Sequence, residues 1–495
     1  MKRIVIVGGG ISGLSIAWAI QRLDPVADIV LLEHSDFPGG HARTIHDRGY
    51  TCETGPDGFL DNAPDTLRLV DELGLRSRLL RSSDGARKRF IYFKGRLRPA
   101  PSSAGSFLRS RLLTIAGKTR LLCEPFARAA DANADESIDG FAERRIGREA
   151  ANVLIDAIVS GVFAGDAHAL SIRAALPRMW ELERAHGSLF AALVATRRSR
   201  RKEDVPGSPA GTLTSFISGM GELTAALARQ LGARVRTGES ASRLIPPDGT
   251  RTWRVTSTTG NHDAPTVILA EPSHHAAQLV SSFDPSLASE LAAIPAAPVA
   301  VVSLGYDRSV AGELKGFGFL APRSQGLQIL GALWESSIYP HRAPGGKVLL
   351  RVIIGGAHNP QAVEAPDAVL VRQVSDDLRT SMGISAAPEF TRIVRHRRGI
   401  PQYNLGHTAR LQRIEQLCAG HPGLYLAGNS YRGVSLNACI ADAARVATAV
   451  ITGQAAASDS VPQGGTLDVE ERGRPRLIPF GNPQRPTDQI GLDLH

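Results

Sequence analysis

Ile4 to Val7 are apolar at every position, and three glycines follow at once. A short, continuous apolar block of this kind predicts a strand buried on both faces. The pattern then changes period. Leu14, Ile16, Ala17, Trp18 and Ile20 recur at helical spacing, and a second apolar run, Ile29–Leu32, ends in Glu33. Strand, helix and strand in that order predict two parallel strands joined by a helical crossover.

Patterning organises the rest of the chain. Residues 61–75 read as an amphipathic helix through Leu67, Val70, Leu73 and Leu75, with Gly74 as its C-terminal cap. Arg89–Phe93 followed by Lys94-Gly95 predicts a hairpin. Residues 107–130 read as helical, mixing Leu108, Leu112, Leu113, Ile115, Leu121 and Leu122 with basic residues. Residues 136–196 read as mostly helical, interrupted by Ser160–Gly165; 197–211 (RRSRRKEDVPGSPAG) reads as a mobile polar loop. Strands are expected over 234–244, 252–258 and 266–270, then alternating strands and helices to about residue 417. A strand over 422–429 runs into a turn and a helix over 438–450. Residues 454–495, rich in Pro, Gly, Ser and charge, read as a disordered tail.

The first turn carries chemistry. Gly8, Gly10 and Gly13 have the spacing G-x-G-x-x-G. Gly8 permits a tight turn, Gly10 a close approach of backbone to a pyrophosphate, and Gly13 close packing of helix on strand. The helix N-terminus offers unpaired N–H groups and partial positive charge to that pyrophosphate. Glu33, 20 residues past Gly13, stands where an acid accepts from ribose hydroxyls. With strands, helix and acid in place, this is a dinucleotide-binding βαβ unit.

Charge and cysteine usage refine the picture only a little. At 495 residues the chain exceeds one comfortable core, so two or three domains are expected. The net charge is +9, and residues 76–128 hold fourteen Lys and Arg against Asp84 and Glu124. A basic amphipathic stretch suits an anionic membrane surface, or is simply a solvated face over an apolar core. Nucleic-acid binding would need an aromatic platform interleaved with the charges, and the stretch shows no such platform. The four cysteines are scattered and none lies at metal-ligand spacing, so no metal site is expected and a reducing compartment is favoured. No apolar run approaches the roughly 20 residues of a membrane-spanning helix. The N-terminal apolar run continues into the nucleotide turn and so reads as mature protein rather than a signal peptide.

Beyond Glu33, Gly39-Gly40 with Arg43 and Thr44 resembles the second flavin fingerprint of amine-oxidase-like flavoproteins, whose loop closes over FAD phosphates. An Arg often follows the glycine pair there; here that position is His41. Taken together, GGGISGLS, ETGPDGF, RFIY…GRL, SGVFAGDAHALSIRAALP, GFGFLAP, IPQYNLGH and LAGNSYRGVSLNACI resemble the oxygen-dependent protoporphyrinogen oxidases and the coproporphyrinogen III oxidases.

That resemblance implies an α/β fold. It has a Rossmann-like FAD-binding domain of the p-hydroxybenzoate-hydroxylase type, an α+β substrate domain and a mostly helical membrane-association domain. The implied division is 1–85, 212–272 and 420–453 for FAD, 86–100 and 273–419 for substrate, and 101–211 for the helical domain. It implies FAD contacts at Gly8, Gly10, Ile11, Ser12, Gly13, Glu33, His34, Gly39, Gly40, Arg43 and Thr44. Further contacts are implied at Gly55, Pro56, Asp57, Gly58, Gly428, Asn429, Gly433, Val434 and Ser435. Among substrate contacts, Arg89 matches an arginine that pairs with a propionate, Gly161 a glycine whose carbonyl faces the macrocycle, and Phe317, Leu320 and Ile353 apolar positions around the rings. A guanidinium fork suits a carboxylate.

The implied reaction is six-electron oxidation of protoporphyrinogen IX to protoporphyrin IX, with dioxygen as oxidant and hydrogen peroxide as by-product. Coproporphyrinogen III is the alternative substrate. More distant alternatives are an amine oxidase or desaturase on the same scaffold, and a flavin- or porphyrin-binding protein without turnover. No residue is assigned as a general base. A monomer or homodimer, cytoplasmic and peripheral to the inner face of the cell membrane, is expected.

Overall fold

Strand β1 (Arg3–Val7) lies at the centre of a parallel sheet. It pairs on one side with β2 (Asp28–Leu32) and on the other with Thr266–Leu269. Val235–Arg236 and Leu424–Leu426 complete the two edges. Side chains along a strand alternate between faces. Ile4 and Ile6 therefore enter one core with Leu14, Ile16 and Ile20 of helix α1 (Ile11–Leu23), and with Ile440, Val446 and Val450 of the C-terminal helix Leu436–Thr452. Val5 and Val7 enter the opposite core, with Trp253, Val255, Leu279 and Leu291. A strand that feeds two cores must be apolar at every position, which is why β1 shows no alternation in sequence.

The computed structural model describes residues 2–101, 103–131, 134–200, 211–249 and 251–453. The tail read over 454–495, and residues 201–210 of the polar stretch, lie outside the described residues.

A second sheet has seven strands, in the order Phe390–Pro401, Ala296–Asp307, Lys347–Gly355, Ile329–Leu333, Gly318–Leu320, Arg89–Phe93, Arg96–Pro99. It is antiparallel except where Gly318–Leu320 runs parallel to Arg89–Phe93. One face packs on helix Asp367–Met382, joining Leu350, Val352 and Ile354 to Leu370, Val374 and Leu378. The other face carries Ile353, Arg351, Leu320 and Arg89, and turns toward the candidate site. The predicted hairpin at 89–99 is present and forms this sheet's edge.

The helical segments differ from expectation in three places. The predicted helix over 107–130 is broken into Ala104–Arg109, Ile115–Leu122 and a short turn at Glu124–Phe126. Thr114 caps the second piece and Pro125 prevents its continuation. The interruption expected from Ser160 falls later: helix Asp156–Phe163 runs through Gly161, and the chain breaks at Ala164, whose φ is 47°. Helix Leu189–Arg200 extends four residues into the stretch read as loop. The Glu124 carboxylate, fully buried, receives Leu189 N–H (2.9 Å) and Ser188 O–H (2.6 Å) at that helix's N-terminus and pairs with buried Arg145. This part of the basic region is therefore structural.

Candidate active site

The nucleotide turn is built as its spacing demands. Gly8 has φ 106°, and a Cβ on Gly13 would lie 1.9 Å from the Gly8 carbonyl oxygen. Helix and strand touch there through bare backbone. At Gly10, by contrast, a Cβ would meet nothing within 4 Å, and no side chain caps α1. The end of this 13-residue helix is thus uncapped by any side chain and faces open space.

Glu33 lies under the turn. Its carboxylate accepts from Gly9 N–H (2.7 Å) and Ser35 N–H (2.8 Å), with His34 Nδ1 at 2.9 Å. Glu271, beside it, was not anticipated. Burial, and then the Glu33 charge, push Glu271 up to about 8, and its Oε1 is buried without a partner. Gly39 and Gly40 lie on the same turn: Gly39 N–H donates to Gly9 O (2.8 Å), and a Cβ on Gly40 would sit 3.2 Å from Gly10 Cα. Gly428 approaches Ser12, 3.9 Å from its hydroxyl to the Cβ position. Gly433 has φ 79°, and Val434 packs against the helical core around Phe163. The first, second and C-terminal glycine turns therefore converge on the α1 end together with Ile11, Ser12 and Asn429.

Four predicted cofactor residues have other partners. The Arg43 guanidinium stacks on Phe37, 3.5 Å from the ring centroid. Thr44 donates to Glu53 (2.8 Å) and accepts from Gly221 N–H (2.9 Å). Ser435 caps the last helix by accepting from Ala438 N–H. Within the Gly55-Pro56-Asp57-Gly58 segment, the Asp57 carboxylate is held by Arg342 at 2.8 Å. For these four, the side chain is committed to the fold.

Arg342 is the hub of a buried cluster that the sequence reading missed. It is 0% exposed and pairs with Asp57, Glu53 (3.0 Å) and Glu335 (3.2 Å), donates to Ser215 Oγ (2.8 Å), and stacks on Tyr339. Three carboxylates share this one guanidinium, with Arg351 nearby donating to the Gly55 carbonyl. Burial pushes Glu53 up to about 7, offset in part by Arg342; burial and Asp57 also raise Glu335. The cluster bolts the Gly55–Gly58 segment to strand Lys347–Gly355. Its members lie between 53 and 351 in the chain, so no local motif marks them.

The five predicted substrate residues come together. Across the second sheet Leu320 is opposite Gly331, and Gly331 is opposite Ile353. Residues directly opposite share a face. Gly318, two residues before Leu320 and so on that face, is opposite Arg89. Gly331 keeps the middle of this wall low, since a Cβ there would strike Phe319 O at 2.4 Å. Arg89 lies over the Phe317 ring, 4.9 Å from guanidinium carbon to centroid, and has no carboxylate partner among the described residues. Helix Asp156–Phe163 closes on the wall at Gly161, whose Cβ position is 2.3 Å from Leu320 Cδ2. Gly161 is in the last turn of that helix, where carbonyls lack intrahelical partners. Phe317, Leu320, Ile353 and Gly161 are each half-buried, and Arg89 is exposed. The wall offers apolar area, a guanidinium without a carboxylate partner among the described residues, and a backbone acceptor.

A dinucleotide fold joined to a sheet with an apolar wall suits a redox flavoprotein. The residues fit the cofactor: the α1 end is open at Gly10, Glu33 lies under the turn, and the Gly39-Gly40 and Gly428 turns close on the same end. Residues 11–451 match the model of the flavin containing amine oxidoreductase family, and the chain belongs to that family. FAD is its cofactor. The chain is 34% identical over 460 residues to the chloroplastic protoporphyrinogen oxidase of Oryza sativa subsp. japonica, covering 88% of this chain and 85% of that protein. It is 30% identical over 454 residues to the coproporphyrinogen III oxidase of Bacillus subtilis (strain 168), covering 89% and 96%. A crystal structure from Exiguobacterium superposes with a TM-score of 0.79 at 28% identity, covering 92% of this chain and 99% of that one.

Proposed function

We propose that this chain is an FAD-dependent porphyrinogen oxidase, taking protoporphyrinogen IX to protoporphyrin IX in heme biosynthesis. The observation that carries the reading is the wall of Arg89, Phe317, Leu320, Ile353 and Gly161, assembled from four distant stretches beside the nucleotide turns. Relatives named for the two porphyrinogen activities support the substrate class. FAD, when bound, supplies the two-electron acceptor, which dioxygen returns to its oxidised form with release of hydrogen peroxide; three turnovers give the six-electron product.

The chain's residues position the macrocycle. Arg89 holds a propionate at the exposed edge, where a charge-assisted fork is strongest. Phe317, Leu320 and Ile353 exclude water from the apolar rings, and the Gly161 carbonyl accepts from a ring N–H. The Gly55–Gly58 segment is the floor beside the cofactor ring, held by Arg342 and Arg351. A single guanidinium against half-buried apolar residues favours the two-propionate substrate over the four-propionate coproporphyrinogen III. Side-by-side turnover of both porphyrinogens by purified protein tests this. Faster oxidation of protoporphyrinogen IX supports the assignment; equal or faster oxidation of coproporphyrinogen III overturns it in favour of the second substrate.

The domain division and the p-hydroxybenzoate-hydroxylase-type arrangement belong to the same proposal. So does docking of segment 101–211 on the inner face of an anionic membrane. Supporting the docking are Leu108, Ile115, Leu122 and Phe126, large apolar residues exposed by 52–89%, among exposed Arg109, Arg111 and Arg128. No helix among the described residues is long and apolar enough to cross a membrane.

A further inference from the structure

Strand Phe390–Pro401 carries four arginines, and their pairing is uneven. Arg392 pairs with Asp47, Arg395 with Asp367 at 2.6 Å and Arg397 with Glu364 at 2.8 Å. Arg398 is exposed and has no carboxylate partner among the described residues. It lines a small recess with His41, Ser273, His274, Asn429 and Ser430. These residues come from three loops of the nucleotide fold. His41 follows the Gly39-Gly40 pair. Asn429 and Ser430 follow the glycine at the end of strand Leu424–Leu426. Ser273 and His274 follow strand Thr266–Leu269, whose continuation, Ala270, presses on Gly8. The recess is thus at the carboxyl ends of the parallel strands, beside the α1 N-terminus, where such folds hold a diphosphate.

Among the residues lining the recess, Arg398 is the one Lys or Arg, and the Gly39-Gly40 loop contributes none. Residue 41 is a histidine; burial and the neighbouring His396 lower it to about 4, so its ring is neutral near pH 7. His274 is lowered to about 4 by burial, then by His275 and Arg398. Arg43, the nearest arginine on the loop, is stacked on Phe37. Arg398 enters from the other sheet, close enough for its charge to depress both His274 and His275. Gly399 leaves its strand room to bend in here, a Cβ there being 2.9 Å from both His396 and Val299.

We propose that Arg398 binds the diphosphate of FAD, supplying from the substrate-side sheet the cation that the Gly39-Gly40 loop lacks, with His41 and His274 as neutral hydrogen-bonding neighbours. The proposal rests on the FAD reading above.

The test is reconstitution of apoprotein with FAD, followed by flavin fluorescence, for wild type, Arg398→Ala and Arg398→Lys. ADP and adenosine serve as competitors. Arg398→Ala is expected to weaken FAD and ADP about ten-fold or more, to leave adenosine unchanged, and to keep the apoprotein circular dichroism spectrum; Arg398→Lys recovers part of the loss. Unchanged FAD affinity with a raised KM for porphyrinogen overturns the proposal and moves the cation to the substrate. Equal weakening of ADP and adenosine also overturns it. Failure of wild-type apoprotein to bind FAD at all overturns the parent reading instead, so the two failures are distinct.

Discussion

Replacing Arg342 by Met should destabilise the protein in a way that depends on pH. The guanidinium is fully buried and pairs with Asp57, Glu53 and Glu335 at 2.8–3.2 Å. Methionine keeps much of the stem's packing but leaves three buried carboxylates without their shared counter-charge. Removing one partner of a buried ion pair costs about 3–5 kcal/mol, because the remaining charge stays desolvated. The cost falls where the carboxylates can take up protons. Glu53, pushed up to about 7, and Glu335, also raised, bind protons in the folded state that the unfolded chain has already lost. In wild type their contribution is therefore fully present below the unfolded carboxylate pKa and is lost as pH rises through their folded values. The variant should lose little at pH 5 and most near pH 8.5, seen as a drop of several degrees in the melting temperature. Scanning calorimetry at the two pH values checks this. Glu335→Gln, which removes one titrating group and keeps the shape, should flatten the wild-type dependence between them. A loss for Arg342→Met below about 1 kcal/mol at pH 8.5, or one equal at both pH values, would refute the reasoning that this cluster shares a single counter-charge.

Three further outcomes follow from the site. Arg89→Met should lower kcat/KM for the porphyrinogen about 10–100-fold, the worth of a charged hydrogen-bonded pair, while the bound-flavin spectrum stays the same; unchanged kinetics would remove Arg89 from the substrate wall. Gly13→Ala places a methyl group 1.9 Å from the Gly8 carbonyl and should yield protein that elutes from gel filtration without flavin, or does not fold. Ile115→Glu with Phe126→Glu should reduce sedimentation with anionic vesicles while turnover in detergent stays at the wild-type rate; undiminished sedimentation would rule out this face as the docking surface.

How much of this was legible in the sequence depended on how local the cause was. The β1–α1–β2 unit could be read because each glycine acts on atoms a few residues away, as Gly13 does on Gly8. The substrate residues were legible only through resemblance: Arg89, Gly161, Leu320 and Ile353 share a wall because of strand register, which no periodicity in the chain encodes. The Arg342 cluster was invisible for the same reason. In the sequence Glu53 is only the first residue of ETGPDGF, and its counter-ion stands 289 residues later. No motif in the sequence marks Arg398; it stands out only because the other arginines of its strand are paired. The helix over 107–130 was misread because apolar spacing persists across breaks made by Thr114 and Pro125. Gly161 was read in a loop because a helix that ends on an αL alanine carries no glycine at its cap.

The most direct test of the central claim is anaerobic mixing of the FAD-loaded protein with protoporphyrinogen IX, followed by visible absorbance. Bleaching of the oxidised flavin band with appearance of porphyrin, and return of the band on admitting dioxygen, is the predicted result. A flavin that stays oxidised in the presence of excess protoporphyrinogen IX would contradict it.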